Sequence, residues 1–285
     1  MSDLVRVATM NHTNSLALED TGERMVPESS GRDTFWEHIY RYAFASRFVR
    51  KKRVLDIACG EGYGAAALQR AGAAHVIGVD ISEEVCLHAH EKYGLEARPG
   101  SGEHIPVADG SVDVVVSFET IEHVPDPHRF LDECVRVLAP GGRLIISTPN
   151  KGIYGADVKN PYHCSEMTEG EFATALRARF HRIDFYSQHP YSAAWWSFRA
   201  LAADVGPWKT VRGIGRLYRS AQFRLARRVV HEPTAEERSS VVDLILASRR
   251  NQRPFLSPYV LRTRRSWDGE KPTYIIANAT EPCPK

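Results

Sequence analysis

The stretch Val54-Leu55-Asp56-Ile57-Ala58-Cys59-Gly60-Glu61-Gly62-Tyr63-Gly64 constrains this chain more than any other part of it. An apolar strand ends near an acidic residue, then turns through closely spaced glycines into Ala65-Ala66-Ala67-Leu68, a run of good helix formers. Glycines at such a turn admit positive φ and let a ligand approach main-chain N–H groups without a Cβ in the way. The amides at the following helix start favour a negatively charged group, such as a carboxylate. Any tight strand–helix corner uses glycine in this way, so the neighbours matter. A second apolar run, His75-Val76-Ile77-Gly78-Val79, ends in Asp80. An acidic side chain there can hold the two hydroxyls of a ribose.

From this point the chain alternates strand and helix patterns, the signature of a doubly wound parallel sheet. The helix after 54–58 is closed by Gly72. The one after 76–80 is capped by Ser82, with Glu83 and Glu84 in its first turn and Gly94 past its end. Strand 96–99 leads to a loop, then to strand 112–118, whose continuous apolar run suits burial on both faces. Asp126 followed by Pro127 starts a helix through Leu138, and Gly141-Gly142 turns into strand 143–148. Thr168 and Glu171 have capping-box spacing for a helix over 168–180. Strands 183–187 and 273–279 complete the set.

The segment VLDIACGEGYG with GVDIS resembles the class I S-adenosylmethionine-dependent methyltransferases. Its spacing, Asp56-x-x-x-Gly60-x-Gly62-x-Gly64, is not the G-x-G-x-x-G of a nicotinamide domain, and Ala58 stands where the family pattern has its first glycine. The resemblance implies S-adenosyl-L-methionine as donor. It assigns donor binding to Asp56, Ala58, Gly60, Gly62, Asp80, Ile81, Ser101, Gly102 and Glu119, with Ser101 replacing an acidic residue of the family's adenine loop. Gly22-Glu23-Arg24-Met25-Val26-Pro27-Glu28 and the later His38-Ile39-Tyr40-Arg41-Tyr42 resemble elements of bacterial glycan- and sugar-pathway methyltransferases, where they cover the donor. Arg41 and Tyr42 would then reach the donor's carboxylate or ring, and Arg24 and Glu28 the acceptor side. The same segment also reads as an amphipathic helix packed over the sheet edge.

On the acceptor side the resemblance implies three catalytic residues. His123 lies in Glu119-Thr120-Ile121-Glu122-His123-Val124, just past the fourth strand. His163 and Glu166 lie in Asn160-Pro161-Tyr162-His163-Cys164-Ser165-Glu166, similar to an N-P-[FY]-H-x-x-E element of the same enzymes. A histidine three residues before a glutamate suits a base and its orienter. Two plainer readings stand beside this: His123 fixing the turn before Pro125, and His163 with Glu166 clasping a loop. No third ligand has clear spacing, so no metal is expected.

The expected fold is therefore α/β: a doubly wound, seven-stranded, mostly parallel Rossmann-like methyltransferase sheet with a helical insertion between its last two strands. The boundaries expected are a flexible arm over 1–20, a donor-binding domain over 21–189 plus 270–285, and a basic insertion over 190–269 acting as a lid or acceptor region. From Pro190 to Arg265 fifteen Lys/Arg face five acids, while the whole chain carries only +2. That surplus, beside Trp195, Trp196 and Trp208, suits an anionic acceptor or peripheral contact with an anionic membrane surface. Nucleic acid is not expected, because no binding module or Asn-Pro-Pro-Tyr base-flipping motif occurs where one would stand. Five cysteines without a CxxC pair suit a reducing, cytoplasmic setting, extending to the inner membrane surface. The function expected is O-methylation of a sugar or glycan, free, nucleotide-linked or lipid-linked. The alternatives are a natural-product or quinone-like hydroxyl or amine, and a donor-binding protein without turnover.

Overall fold

Strand β1 (Arg53–Ile57) becomes the middle of a sheet because four of its five residues are buried and both its edges are paired. The computed structural model describes residues 24–151, 160–188, 232–250, 262–263 and 274–283. In chain order they form α1 (Arg32–Ala45), β1, α2 (Tyr63–Arg70), β2 (His75–Asp80), α3 (Glu83–Tyr93), β3 (Glu96–Pro99) and β4 (Val112–Phe118). A single 3-10 turn (Ile121–His123) precedes α4 (Pro127–Val137), β5 (Leu138–Pro149), α5 (Glu169–Arg177) and β6 (Phe180–Gln188). The last are α6 (Ala235–Ser239), α7 (Val241–Arg250), β7 (Arg262–Thr263) and β8 (Tyr274–Pro282).

The sheet order is β3-β2-β1-β4-β5-β8-β6-β7. The first five strands are parallel, and β8 runs antiparallel between β5 and β6. Order reverses at β1, so the carboxyl ends of β1 and β4 flank the crevice in which such sheets hold ligands. Seven of the strands follow the sequence expectation; the eighth is the two-residue β7 at the far edge. Strands β6 and β8 are longer than expected because they pair from Phe180↔Pro282 to Gln188↔Tyr274. The turn expected at Gly141-Gly142 is instead a bulge inside β5. Gly141 has φ +73°, and pairing with β4 shifts register between Val112 and Val114.

Period-two alternation sends side chains to two separate cores. Val54, Val114, Val116 and Ile276 pack under α1, α2 and α7. Leu55, Ile57, Val115 and Ile146 pack under α4 and α5. Each such aliphatic side chain contributes about 1.5–3 kcal/mol on full burial. The helix caps follow their sequence signals: Ser82 accepts from Val85 N, Asp126 from His128 N and Arg129 N, and Thr168 closes a capping box with Glu171.

Within the insertion, Thr234 and Glu237 form a second capping box at α6, and α7 lays Val241, Val242 and Ile245 into the core under α1. Arg238 Nη1 donates to the carbonyls of Pro27 and Ser30, at 2.7 and 2.9 Å, and its guanidinium lies over Phe35. These described parts of the insertion thus brace the cover helix from outside. The arm 1–20, Gly22 and Glu23, and Trp195, Trp196 and Trp208 of the insertion lie outside the described residues. Among the described residues no helix is long and apolar enough to cross a membrane.

Helix α2 approaches α1 so closely that a Cβ at Gly64 would stand 2.0 Å from the Tyr42 ring. Gly64→Ala should therefore destabilise the protein by about 1–3 kcal/mol or more through overpacking. Urea denaturation would check this, with the cost shrinking in a Tyr42→Ala background.

Candidate active site

A cavity of about 420 Å³ opens at the carboxyl ends of β1, β2 and β4, with α1 as its roof. Helical spacing puts Thr34, Glu37, His38, Arg41 and Tyr42 on the roof's inner face, while Phe35, Ile39 and Ala43 of the same helix enter the core. One face of this helix therefore lines the cavity and the other packs into the core.

The turn after β1 forms the floor. Ala58 and Gly60 line the cavity with φ +57° and +53°. A left-handed alanine costs about 1–2 kcal/mol, which accounts for the glycine in the family pattern and marks strain at this corner. Gly60 N donates to Asp80 Oδ2 at 3.0 Å and Ser82 N to Asp80 Oδ1 at 3.1 Å, so the carboxylate at the end of β2 is oriented by backbone from both sides. Gly62, also left-handed at φ +97°, faces away from the cavity. A Cβ there would meet Ala89 at 2.8 Å, so this glycine serves the approach of α3.

Other residues expected to touch a donor stand apart from the cavity wall. Asp56 is fully buried beneath Tyr42, whose hydroxyl donates to both its oxygens at 3.3 and 3.2 Å. Burial pushes the Asp56 carboxyl up to about 8, and Tyr42's hydroxyl is committed to it while the ring lines the cavity. Ser101 and Gly102 lie beyond the wall, Gly102 because a Cβ would strike the Phe130 ring at 2.7 Å. Ile81, next to Asp80, is 81% exposed and is not part of the cavity lining. Arg24 lines the cavity, whereas Glu28 turns outward to Lys92 at 2.9 Å.

The deep end is a buried polar network around Arg41, which is 1% exposed. Its Nε donates to Gln188 Oε1 at 2.8 Å, its Nη1 lies 3.3 Å from Glu119 Oε1, and its plane sits 4.3 Å over the Tyr274 ring. Nη2 is buried with no hydrogen-bond partner among the described residues. Glu119 holds a left-handed backbone, φ +53°, and accepts from Ser147 Oγ at 2.6 Å. Burial pushes Glu37 up to about 8, against the opposing pull of Arg41. Burial also brings His38 down to about 3, so it is neutral, in contact with the Tyr63 hydroxyl at 2.8 Å.

At the mouth, His123 and His163 meet edge to face, ring centroids 4.8 Å apart. His123 Nδ1 contacts the Tyr162 carbonyl at 3.2 Å, and His163 Nδ1 contacts Glu166 Oε1 at 2.7 Å. Both partners only accept, so each Nδ1 carries the hydrogen. The 160–166 loop is clasped to the 3-10 turn through Cys164 N and Ser165 N, which donate to Glu122 O at 2.9 and 3.0 Å. The loop clasp and the placement at the cavity therefore coexist. The fold also supplies the third group that spacing in the sequence did not reveal. Glu122 is fully buried, and with His123 and His163 its ligand atoms all lie within 4.8 Å of one another. Burial and the neighbouring Glu119 hold the Glu122 carboxyl well above the usual range.

Sequence reasoning passed over Glu37, Glu122, Gln188 and Tyr274. Two carried a usable signal: Glu37 precedes Arg41 by four on one helical face, and Glu122 follows Glu119 by three. Gln188 and Tyr274 are strand ends, and only β6–β8 pairing brings them to Arg41.

Comparison with known proteins agrees with this geometry. Residues 55–146 match the family described as a methyltransferase domain. A probable S-adenosylmethionine-dependent methyltransferase of Mycolicibacterium smegmatis is 38% identical over 166 residues, 56% of this chain and 64% of its own length. Another from Mycobacterium tuberculosis is 38% identical over 162 residues, 55% of this chain and 58% of its own. A ubiquinone biosynthesis O-methyltransferase of Maricaulis maris is 39% identical over 127 residues, 42% of this chain and 48% of its own. The chain thus spans less than two thirds of the length of the curated relatives it matches. Among solved structures, a methyltransferase from Thermotoga maritima shares the fold. Its TM-score is 0.51 at 16% identity, over 86% of this chain and 89% of that one.

The sheet is thus a Rossmann-like methyltransferase fold, and residues 55–146 carry the match to the methyltransferase-domain family.

The raised carboxyls set a pH dependence. Folded Glu37 and Asp56 keep their protons to about 8, while the unfolded chain releases them near the ordinary 4.5 and 3.8. The native state thus binds more protons across that interval, and their contribution to stability falls as pH rises through it. Glu37→Gln and Asp56→Asn should each flatten the stability profile between pH 5 and 9, measured by urea denaturation. An unchanged slope would contradict the burial assigned to these groups.

Proposed function

We propose that this protein is an S-adenosylmethionine-dependent O-methyltransferase whose acceptor is a sugar or glycan hydroxyl, free, nucleotide-linked or lipid-linked. The observation that carries the transferase reading is a cavity with donor-binding groups at one end and a histidine pair at the other. The oxygen acceptor is supported by the relatives named as O-methyltransferases. The sugar is supported by the resemblance of the 22–28 and 160–166 elements to those of glycan-pathway enzymes.

The residues fit the donor on points independent of that resemblance. Arg41 Nη2, buried with no hydrogen-bond partner among the described residues, suits a carboxylate. Asp80, aimed by two backbone amides, suits the ribose hydroxyls. Buried Glu37 and half-buried Glu119 lie beside Arg41 at the deep end, and the Glu37 carboxyl can ionise to meet a group bearing a sulfonium and an ammonium. Ile81 offers its exposed apolar surface to a purine ring. Asp56 acts through Tyr42 and holds the floor in place.

When bound, the donor supplies a methyl group already activated as a sulfonium. The protein's share is then alignment at about 3 Å and removal of the acceptor's proton. Roof and floor enclose the donor on both sides and limit water. The histidine pair meets the acceptor hydroxyl. Imidazoles can activate it in two ways, by accepting its proton or by holding a cation that acidifies it; either makes His163 essential.

A methyl-release assay across nucleotide sugars, lipid-linked sugars and simple phenols tests the reading. Turnover only with phenols would reject the sugar assignment and keep the chemistry. Asp80→Ala should weaken binding of the demethylated donor by about tenfold or more, since each hydrogen bond to a charged acceptor contributes about 1.5–3 kcal/mol; calorimetry reads this directly. His163→Ala should abolish turnover and leave that affinity nearly intact.

A further inference from the structure

We propose that Glu122, His123 and His163 form a binding site for one divalent transition-metal cation at the acceptor end of the cavity. Two imidazoles and a carboxylate are a donor set suited to zinc, manganese, iron or nickel. The three ligand atoms lie within 4.8 Å of one another. Atoms sharing one ion at bonds of about 2.1 Å stand about 3.0–3.5 Å apart, so the cluster closes by about 1 Å on binding. Two of its members lie on segments able to give: His123 at the end of a single 3-10 turn and His163 on a loop.

Three independent features aim these groups at a common point. Glu122 Oε2 accepts from Thr148 Oγ1 at 3.0 Å, which fixes the carboxylate, while Oε1 is buried with no hydrogen-bond partner among the described residues. That oxygen faces His123 Nε2 at 4.0 Å. A buried acceptor left unmatched costs about 1–3 kcal/mol, and a cation would relieve it. Second, both histidines present hydrogen-bearing Nδ1 atoms to outer acceptors, the Tyr162 carbonyl and the Glu166 carboxylate. Ligating histidines are oriented in this way, which makes Nε2 the coordinating nitrogen. Third, the clasp through Cys164, Ser165 and the carbonyl of Glu122 binds the two ligand-bearing segments into one unit.

The site rests on the methyltransferase reading for its role, and deepens it. A cation here would take the acceptor hydroxyl as a further ligand and acidify it, its proton leaving to water through the mouth. The new O–CH3 bond then forms as the S–CH3 bond breaks, turning the sulfonium into a neutral thioether. An acceptor with adjacent hydroxyls, as in a sugar or a catechol, would chelate the ion and be preferred to an isolated hydroxyl. Glu166 acts through His163 as a positioning residue.

The test is calorimetric titration of the chelator-treated full chain with Zn²⁺ and, separately, Mn²⁺. Wild type should bind one ion. Glu122→Gln and His163→Ala should each weaken binding at least about tenfold, and Glu166→Gln about 10–100-fold. His75→Ala, a surface histidine paired with Glu96, should leave binding unchanged. Melting curves identify any variant that fails to fold, and His163→Ala, on a loop, backs up the buried Glu122. Absence of binding by wild type, or equal binding by wild type and all variants, would overturn the site. Titration with the demethylated donor is run in parallel. Loss there with ion binding intact would reject the methyltransferase reading and leave the cation site standing.

Discussion

The buried guanidinium of Arg41 is the interaction on which the site's architecture depends. It joins four elements that are distant in sequence: α1, which carries it; Glu119 after β4; Gln188 at the end of β6; and Tyr274 at the start of β8. An ion pair taken out of water contributes little net stability by itself, yet breaking one from one side costs about 3–5 kcal/mol. The network therefore acts as a positional lock. It holds the roof helix at one height above the sheet, with Arg41 in the cavity wall.

The cavity has two ends with different electrostatics. Around Arg41, burial keeps Glu37 protonated near neutrality, as it does Asp56 beneath Tyr42. A cationic ligand entering there lowers the free energy of the ionised carboxyls and so couples binding to proton release. At the mouth, two imidazoles and a carboxylate converge, their ligand atoms within 4.8 Å of one another.

The roof is braced from behind. Helix α7 and Arg238, from the segment between β6 and β8, pack on α1 and cap the carbonyls that precede it. A change in that segment would move the roof before it touched any ligand. This links the basic insertion to the site mechanically through its described part, while the glycine-tight contact of Gly64 with Tyr42 sets the roof's distance from the floor.

The sequence alone determined the local elements and the topological class. Apolar alternation, capping residues and the acidic strand ends at Asp56 and Asp80 are encoded within about ten residues each, so β1 to β5 and their helices were legible. Arg41, Glu119, His123 and His163, singled out by contiguous motifs, all line the cavity. Tertiary structure alone decided which of them face the cavity. Asp56 and Gly62 occur in the motif yet turn to Tyr42 and α3, since burial and close approach depend on what packs behind the turn. Glu122, Glu37, Gln188 and Tyr274 became site residues only on folding. Their meeting requires β8 to insert between β5 and β6 and a 3-10 turn to rotate one glutamate inward. No local pattern can encode a distance between segments that only the closed sheet brings together.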